Sequence, residues 1–282
     1  MPHRPEPTTS VDHPQQSLYI DLVYVPKEVE DLKREIARDF PEMLEGNLVG
    51  IYLWGSLTYE AFDEEASDID CVVVLERDLN DSEFADLKDW FTRAVDRNPW
   101  ADKLDMRFHL RDELLVKNSR MSSYHFRKLQ RHPSDANPFI WINIAQWGIA
   151  LYGVKPAEIA PEIDDATLSA ALILELEYLK EETAAEKGNY GPATRHGVST
   201  LMYQAYSVLT ACRIAYTFRN KRLVSKRQAA MWCMENLAPQ WKSTIAEAIE
   251  NRMTPDGRSN EALWNAANDF INFVGEMLVQ ES

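Results

Sequence analysis

Cysteine is scarce: Cys71, Cys212 and Cys233 are the three in 282 residues, far apart and each in an apolar context. An odd, scattered set argues against a disulfide framework or a cysteine-ligated zinc site. It predicts small buried hydrophobes in a reducing compartment, the cytoplasm. Six histidines are present, with no ligand pair inside one helical turn. Long apolar runs are missing as well; none reaches the roughly 18 residues that span a bilayer, so no membrane partner is expected. The opening MPHRPEPTTSVDHPQQ is polar and proline-rich. It has no apolar signal core and reads as a disordered tail over residues 1–17. Positive charge is in deficit, with 30 Lys and Arg against 45 Asp and Glu, a net charge of −15. Such a surface repels phosphate backbones on average, which counts against nucleic acid as a partner and suits a cationic small molecule. Plain solubility explains the same acidity.

Apolar residues make up 45% of the chain, enough for a substantial core. Two halves follow different patterns. Residues 18–155 read as mixed α/β. Val29, Leu32, Ile36 and Phe40 recur at helical spacing after Pro26, and Leu87, Phe91 and Val95 mark a second helix with Asp81 or Ser82 as its cap. Apolar or β-branched runs at 48–54, 70–76 and 102–110 predict three strands. Residues 156–282 read as helical throughout: one long helix capped by Asp164 or Asp165, a Gly/Pro break at 188–197, then helices over 199–219, 226–237, 240–252 and 259–279. The fold class is α+β, a small sheet with helices followed by an all-helical domain.

The chemistry concentrates in IYLWGSLTYEAFDEEASDIDCVVVLE, residues 51–76. Gly55 ends a buried strand, where glycine permits a tight turn and close backbone approach. A helix beginning there would aim its free amides at phosphate. Period-two alternation puts Asp68 and Asp70 on one face, with Ile69 on the other. Two like charges side by side are costly unless a cation lies between them, and two carboxylates with bound phosphates make an oxygen-rich site for Mg²⁺. Asp105 interrupts the third strand where valine would be ordinary. Beside Asp68 and Asp70 it can share a metal or accept a proton from an incoming hydroxyl. Arg107 and His109 share its face, as lesser participants in the site or, more simply, as side chains of an exposed strand edge.

The order apolar strand, Gly-Ser, SDID and a strand-borne acid resembles the polymerase-β-like nucleotidyltransferase superfamily. The closer likeness is to aminoglycoside adenylyltransferases of the streptomycin/spectinomycin type. VLTACRIAYTF and LVSKRQAAMWCMENL are similar to that group's helical segments, and IALYGVKPAEI to its interdomain stretch. The likeness covers most of 20–280 and is strongest at 50–76 and 208–237. It implies that Gly55, Ser56 and Ser67 hold nucleotide phosphates and that Asp68 and Asp70 ligate two Mg²⁺ ions. Asp105 stands where the family usually has a glutamate base. Arg213 and Lys226 match basic residues that reach ATP phosphates from the helical domain. Local physics supports Lys226: it follows the N-cap Ser225 in a first helical turn, where the dipole disfavours cations unless a polyphosphate is near. The implied activity is transfer of AMP from ATP to a hydroxyl of a small molecule such as an aminoglycoside, releasing pyrophosphate.

Departures touch the acceptor. TLMYQAY places Tyr203 and Tyr206 where the family is more polar, and 188–198 lacks a tryptophan-rich, acidic character. Glu175, Glu177, Glu181 and Glu182 could meet amino groups, or form a solvated helix face. Five basic residues in RNKRLVSKR, 219–227, leave open a protein or RNA end as acceptor. A non-catalytic nucleotide-binding regulator is the third reading, against which three intact acids stand.

Overall fold

A computed structural model of the protein describes residues 25–59, 62, 64 and 67–281; the tail expected over 1–17 lies outside them. Helix α1 (Lys27–Met43) buries Val29, Leu32, Ile36 and Phe40, the predicted stripe. Strand β1 (Leu48–Leu53) leads into a single 3₁₀ turn, Gly55–Thr58, and β2 (Ile69–Leu75) follows. Helix α2 (Asp81–Arg97) is capped by Asn80, one residue before the expected Asp81 or Ser82. Asn80 and Glu83 form a reciprocal capping box that satisfies two otherwise orphaned amides, and such a cap is worth about 1 kcal/mol. Strand β3 (Leu104–Leu110) is the third predicted strand. A hairpin of β4 (Arg120–His125) and β5 (Lys128–Pro133), helix α3 (Pro138–Trp147) and strand β6 (Ile149–Tyr152) complete the sheet region.

The sheet runs β5-β4-β3-β2-β1-β6. Only β2 and β3 are parallel, in a register that sets Asp70 beside Asp105, Val72 beside Arg107 and Val74 beside His109. One face carries Cys71, Val73 and Leu75 against α1 and α2, where Phe40, Trp90, Phe91, Phe108 and Tyr124 pack. Phe91 and Tyr124 stack at 3.8 Å between ring centroids. The other face carries Tyr52, Val72 and Val74 against Ile140, Trp141 and Ile144 of α3. The alternation that buries Val72 and Val74 therefore aims Asp70 at the α3 side.

After the short α4 (Pro156–Ile159), the second domain is built from α5 (Asp165–Glu186), α6 (Thr200–Asn220), α7 (Lys226–Asn236), α8 (Lys242–Asn251) and α9 (Glu261–Glu281). Asp164 is the N-cap of α5, accepting a hydrogen bond from the Thr167 amide. Helix α6 is buried on most sides, as expected for the centre of a bundle. It packs with Leu172, Leu176, Phe270, Val274 and Leu278 in one core. The two domains are tied at α3: Trp147 Nε1 donates to the Leu223 carbonyl at 3.2 Å, and the Leu223 amide donates to Gln146 Oε1 at 3.1 Å. Those bonds fix the segment that enters α7 above the sheet. All three cysteines are free and buried, and no described helix is long and apolar enough to cross a membrane.

Candidate active site

A cleft of about 570 Å³ lies where the strand ends meet the helical domain. Its sheet-side wall includes Gly55, Ser56, Ser67, Asp68 and Asp70; its helical wall includes Arg213, Lys226, Arg227 and Arg252. Gly55 has φ +74°, and a Cβ there would overlap Asp70 Oδ2, so both conformation and space require glycine. The expected helix after Gly55 is only the single 3₁₀ turn, too short to supply a dipole. The Gly55 amide is also engaged, donating to Asn143 Oδ1 at 3.1 Å. Ser56 Oγ is buried and lacks a hydrogen-bond partner among the described residues, a polar group waiting for a ligand. Ser67 is buried beside Asp68 and lines the cleft.

Asp68, Asp70 and Asp105 come together, with one ligand oxygen from each lying within 4.8 Å of the others. Burial, then the charges of Asp68 and Asp105, hold the Asp70 carboxyl well above the usual carboxylate range. Asp68 is raised too, by desolvation and by Asp105, with its own backbone amide opposing. This unresolved repulsion among oxygen donors is the environment a hard divalent cation relieves, and the donor set fits Mg²⁺. Asp105 also faces side-chain nitrogens on its other side. Arg107 Nε lies 3.8 Å from Oδ1 and His125 Nδ1 3.5 Å from Oδ2.

Arg107 and His109 do not lie on an exposed edge. Strand β3 is interior, paired with β2 and β4, because the β4–β5 hairpin extends the sheet beyond it. Arg107 spans Asp105 and Asp135, the latter at 3.4 Å, and lines the cleft. His109 is buried edge-on against Trp141, and desolvation, then Arg107, push it down to about 4. It is a neutral core histidine.

Lys226 occupies the first turn of α7 behind a Ser225–Gln228 capping box. Its ammonium sits 3.9 Å over the Tyr206 ring, and no carboxylate lies within ion-pair distance among the described residues. Desolvation, then the Arg213 charge, push it down to about 7, while Asp68 and Asp70 oppose. Arg213 is hydrogen-bonded to Tyr59, which crosses from the sheet domain. The rest of the basic run is dispersed. Arg219 pairs with Glu281, Lys221 lies over Phe218 and Arg222 over Trp147. Among the four acids of α5, Glu175 alone lines the cleft; Glu177 pairs with Lys180, and Glu182 with Arg195 and His196.

Four residues at the site were not singled out from sequence for these roles: Asn143, Arg252, His125 and Tyr59. A lone asparagine in the apolar helix PFIWINIAQW was the available signal for Asn143. Arg252, His125 and Tyr59 carry no spacing that marks them.

Two family models match the chain, one over most of the sheet region and one over the helical region. Residues 18–125 match the family model for a nucleotidyltransferase domain. Residues 158–279 match the model described as aminoglycoside adenylyltransferase, C-terminal domain. No curated protein sequence matches the chain. Among solved structures, the spectinomycin adenyltransferase AAD(9) from Enterococcus faecialis, determined with ATP and spectinomycin, shares the fold. Its TM-score is 0.62 at 18% identity, over 89% of this chain and 98% of that one. Sheet, acid cluster and facing cations thus define a nucleotidyltransferase closed by a helical domain. The chain belongs to the nucleotidyltransferases of the aminoglycoside adenylyltransferase type.

Proposed function

We propose that the protein transfers AMP from ATP to a hydroxyl of a small, cationic acceptor of the aminoglycoside class, with release of pyrophosphate. The observation that carries this reading is a three-carboxylate cluster facing unpaired cations across one cleft. Asp68, Asp70 and Asp105 would hold Mg²⁺, two ions in our reading. When bound, the metal polarises the α-phosphate and offsets the charge of attacking and leaving oxygens.

The chain's own groups do the remainder. Ser56 Oγ and Ser67 meet the phosphates from the sheet side, and Gly55 leaves room for Asp70 to reach the cluster. Arg213 and Lys226 grip the polyphosphate from the helical side and stabilise the charge that develops on the departing pyrophosphate. Asp105 takes the acceptor's hydroxyl proton as the oxygen–phosphorus bond forms; the bond from the α-phosphorus to the bridging oxygen breaks, and its electron pair leaves with pyrophosphate. Carboxylates in general are weak bases toward an alcohol, and a metal bound to that alcohol would raise its acidity and narrow the gap. His125 and Arg107 orient Asp105. Glu175, without an ion pair among the described residues, faces the cleft as a partner for an acceptor ammonium. The free buried thiols suit action in the cytoplasm.

A pyrophosphate-release assay of the purified protein with ATP and Mg²⁺, run across aminoglycosides and other polyols, tests the proposal. Release that depends on an aminoglycoside supports it. ATP binding with no release for any acceptor would favour the regulator reading, and release with a non-cationic alcohol alone would move the acceptor class.

A further inference from the structure

The helical wall carries two cations beyond the phosphate-binding pair assigned above, Arg227 and Arg252, and Arg252 is the one that also acts on Lys226 as a like charge. Arg252 directly follows α8, 26 positions beyond Lys226 by number, and its side chain lines the same cleft. An arginine at a helix C-terminus is ordinarily explained by the dipole and by bonds to the last carbonyls. Arg252 makes no hydrogen bond to those carbonyls and no ion pair with any described residue. It is half-buried and close enough to Lys226 to act on it as a like charge, alongside Arg213. Like charges gathered in a partly desolvated cleft repel, and none of the three has an ion-pair partner among the described residues. Asp68 and Asp70 across the cleft offset part of this repulsion at Lys226, and a metal held by those acids would cancel that help.

We propose that Arg252 is a third phosphate-binding residue, which with Arg213 and Lys226 forms a clamp for the β- and γ-phosphates and makes the site selective for nucleoside triphosphate over monophosphate. The inference rests on the nucleotidyltransferase reading of this cleft. A polyphosphate chain carries enough negative charge to answer three cations, whereas a monophosphate seated at the metal cluster does not reach them. The same clamp binds inorganic pyrophosphate, so product release and product inhibition depend on Arg252.

The test is equilibrium binding by the full chain, in Mg²⁺, of ATP, inorganic pyrophosphate and AMP, for wild type, Arg252→Gln and Arg252→Lys. Loss of one charge-assisted hydrogen bond corresponds to about a tenfold loss of affinity. The expected result for Arg252→Gln is that loss for ATP and pyrophosphate, with AMP affinity within about twofold of wild type and an unchanged melting temperature; Arg252→Lys recovers part of it. Unchanged ATP and pyrophosphate affinity in Arg252→Gln overturns the proposal. So does a parallel fall in AMP affinity, which would make Arg252 structural. Wild-type protein that fails to bind ATP at all would instead overturn the nucleotidyltransferase reading and this proposal with it.

Discussion

Binding of ATP should draw a proton onto Lys226. Desolvation and the Arg213 charge push this lysine down to about 7, so at pH 8 it is about nine-tenths neutral by simple titration. A polyphosphate in contact with the amine favours its charged form and returns the pKa toward the ordinary lysine value near 10.4. Binding at pH 8 therefore takes up about 0.9 proton on Lys226, and at pH 7 about half a proton. The sign follows from the depressed pKa of the free state. Below pH 7 free and bound forms are both charged and affinity is flat. Above it affinity falls by up to tenfold per pH unit, about 1.4 kcal/mol. Calorimetry of ATP binding in buffers of different ionisation enthalpy measures the uptake directly. Carboxyl groups that lose protons to the metal, and the nucleotide itself, also exchange protons, so the informative quantity is wild type minus Lys226→Arg, in which the cation cannot be neutralised. A difference near one proton at pH 8 is expected. Identical proton uptake in both proteins, with affinity equally flat between pH 7.5 and 9, would refute the placement of Lys226 against phosphate.

Asp68→Ala and Asp70→Ala should each abolish transfer while the protein stays folded, as activity and far-ultraviolet circular dichroism would show; near-normal turnover in Mg²⁺ by either variant removes the metal assignment. Because the Asp70 pKa is raised in the folded state, metal-free stability falls as pH rises from its unfolded pKa through its folded value. Asp70→Asn should accordingly melt higher than wild type at pH 8 without Mg²⁺, an advantage that vanishes near pH 3 and that added Mg²⁺ narrows by stabilising wild type alone. Asp105→Asn should separate roles: as the base it lowers kcat by ~10²–10⁴-fold with nucleotide affinity unchanged, whereas a fall in Mg²⁺ and ATP affinity makes it chiefly a ligand. Gly55→Ala combines a left-handed backbone with a Cβ overlapping Asp70; a stability loss of about 1–2 kcal/mol and a larger loss of activity are expected from melting and turnover assays.

The parts legible in sequence were those whose physics is local. Alternation in DIDCVVVL fixed which residues share a face, and helical spacing in 165–186 and 259–279 found the bundle. The β4–β5 hairpin escaped because its strands, RMSSYH and KLQRHP, are largely polar, and because its turn sets Phe126 and Arg127 at positive φ with no glycine or asparagine to announce it. Missing that hairpin is why β3 read as a possible edge and His109 as exposed. Helix α3 was obscured by being apolar nearly all round, which short buried strands also are. At the site, the shared face of Asp68 and Asp70 followed from strand alternation, whereas Arg252 and Asn143 reach the cleft through tertiary packing that no spacing encodes. Tyr206, unexpectedly apolar for its position, is explained by the Lys226 ammonium above its ring.

Mass spectrometry of the acceptor after incubation with ATP, Mg²⁺ and the protein tests group transfer itself. The expected product is an aminoglycoside heavier by one adenylyl group, formed with one pyrophosphate per adduct and absent with Asp70→Asn. An acceptor carrying a single added phosphate, or ATP consumed with no adduct on any acceptor, would contradict transfer of AMP at the Asp68–Asp70–Asp105 cluster.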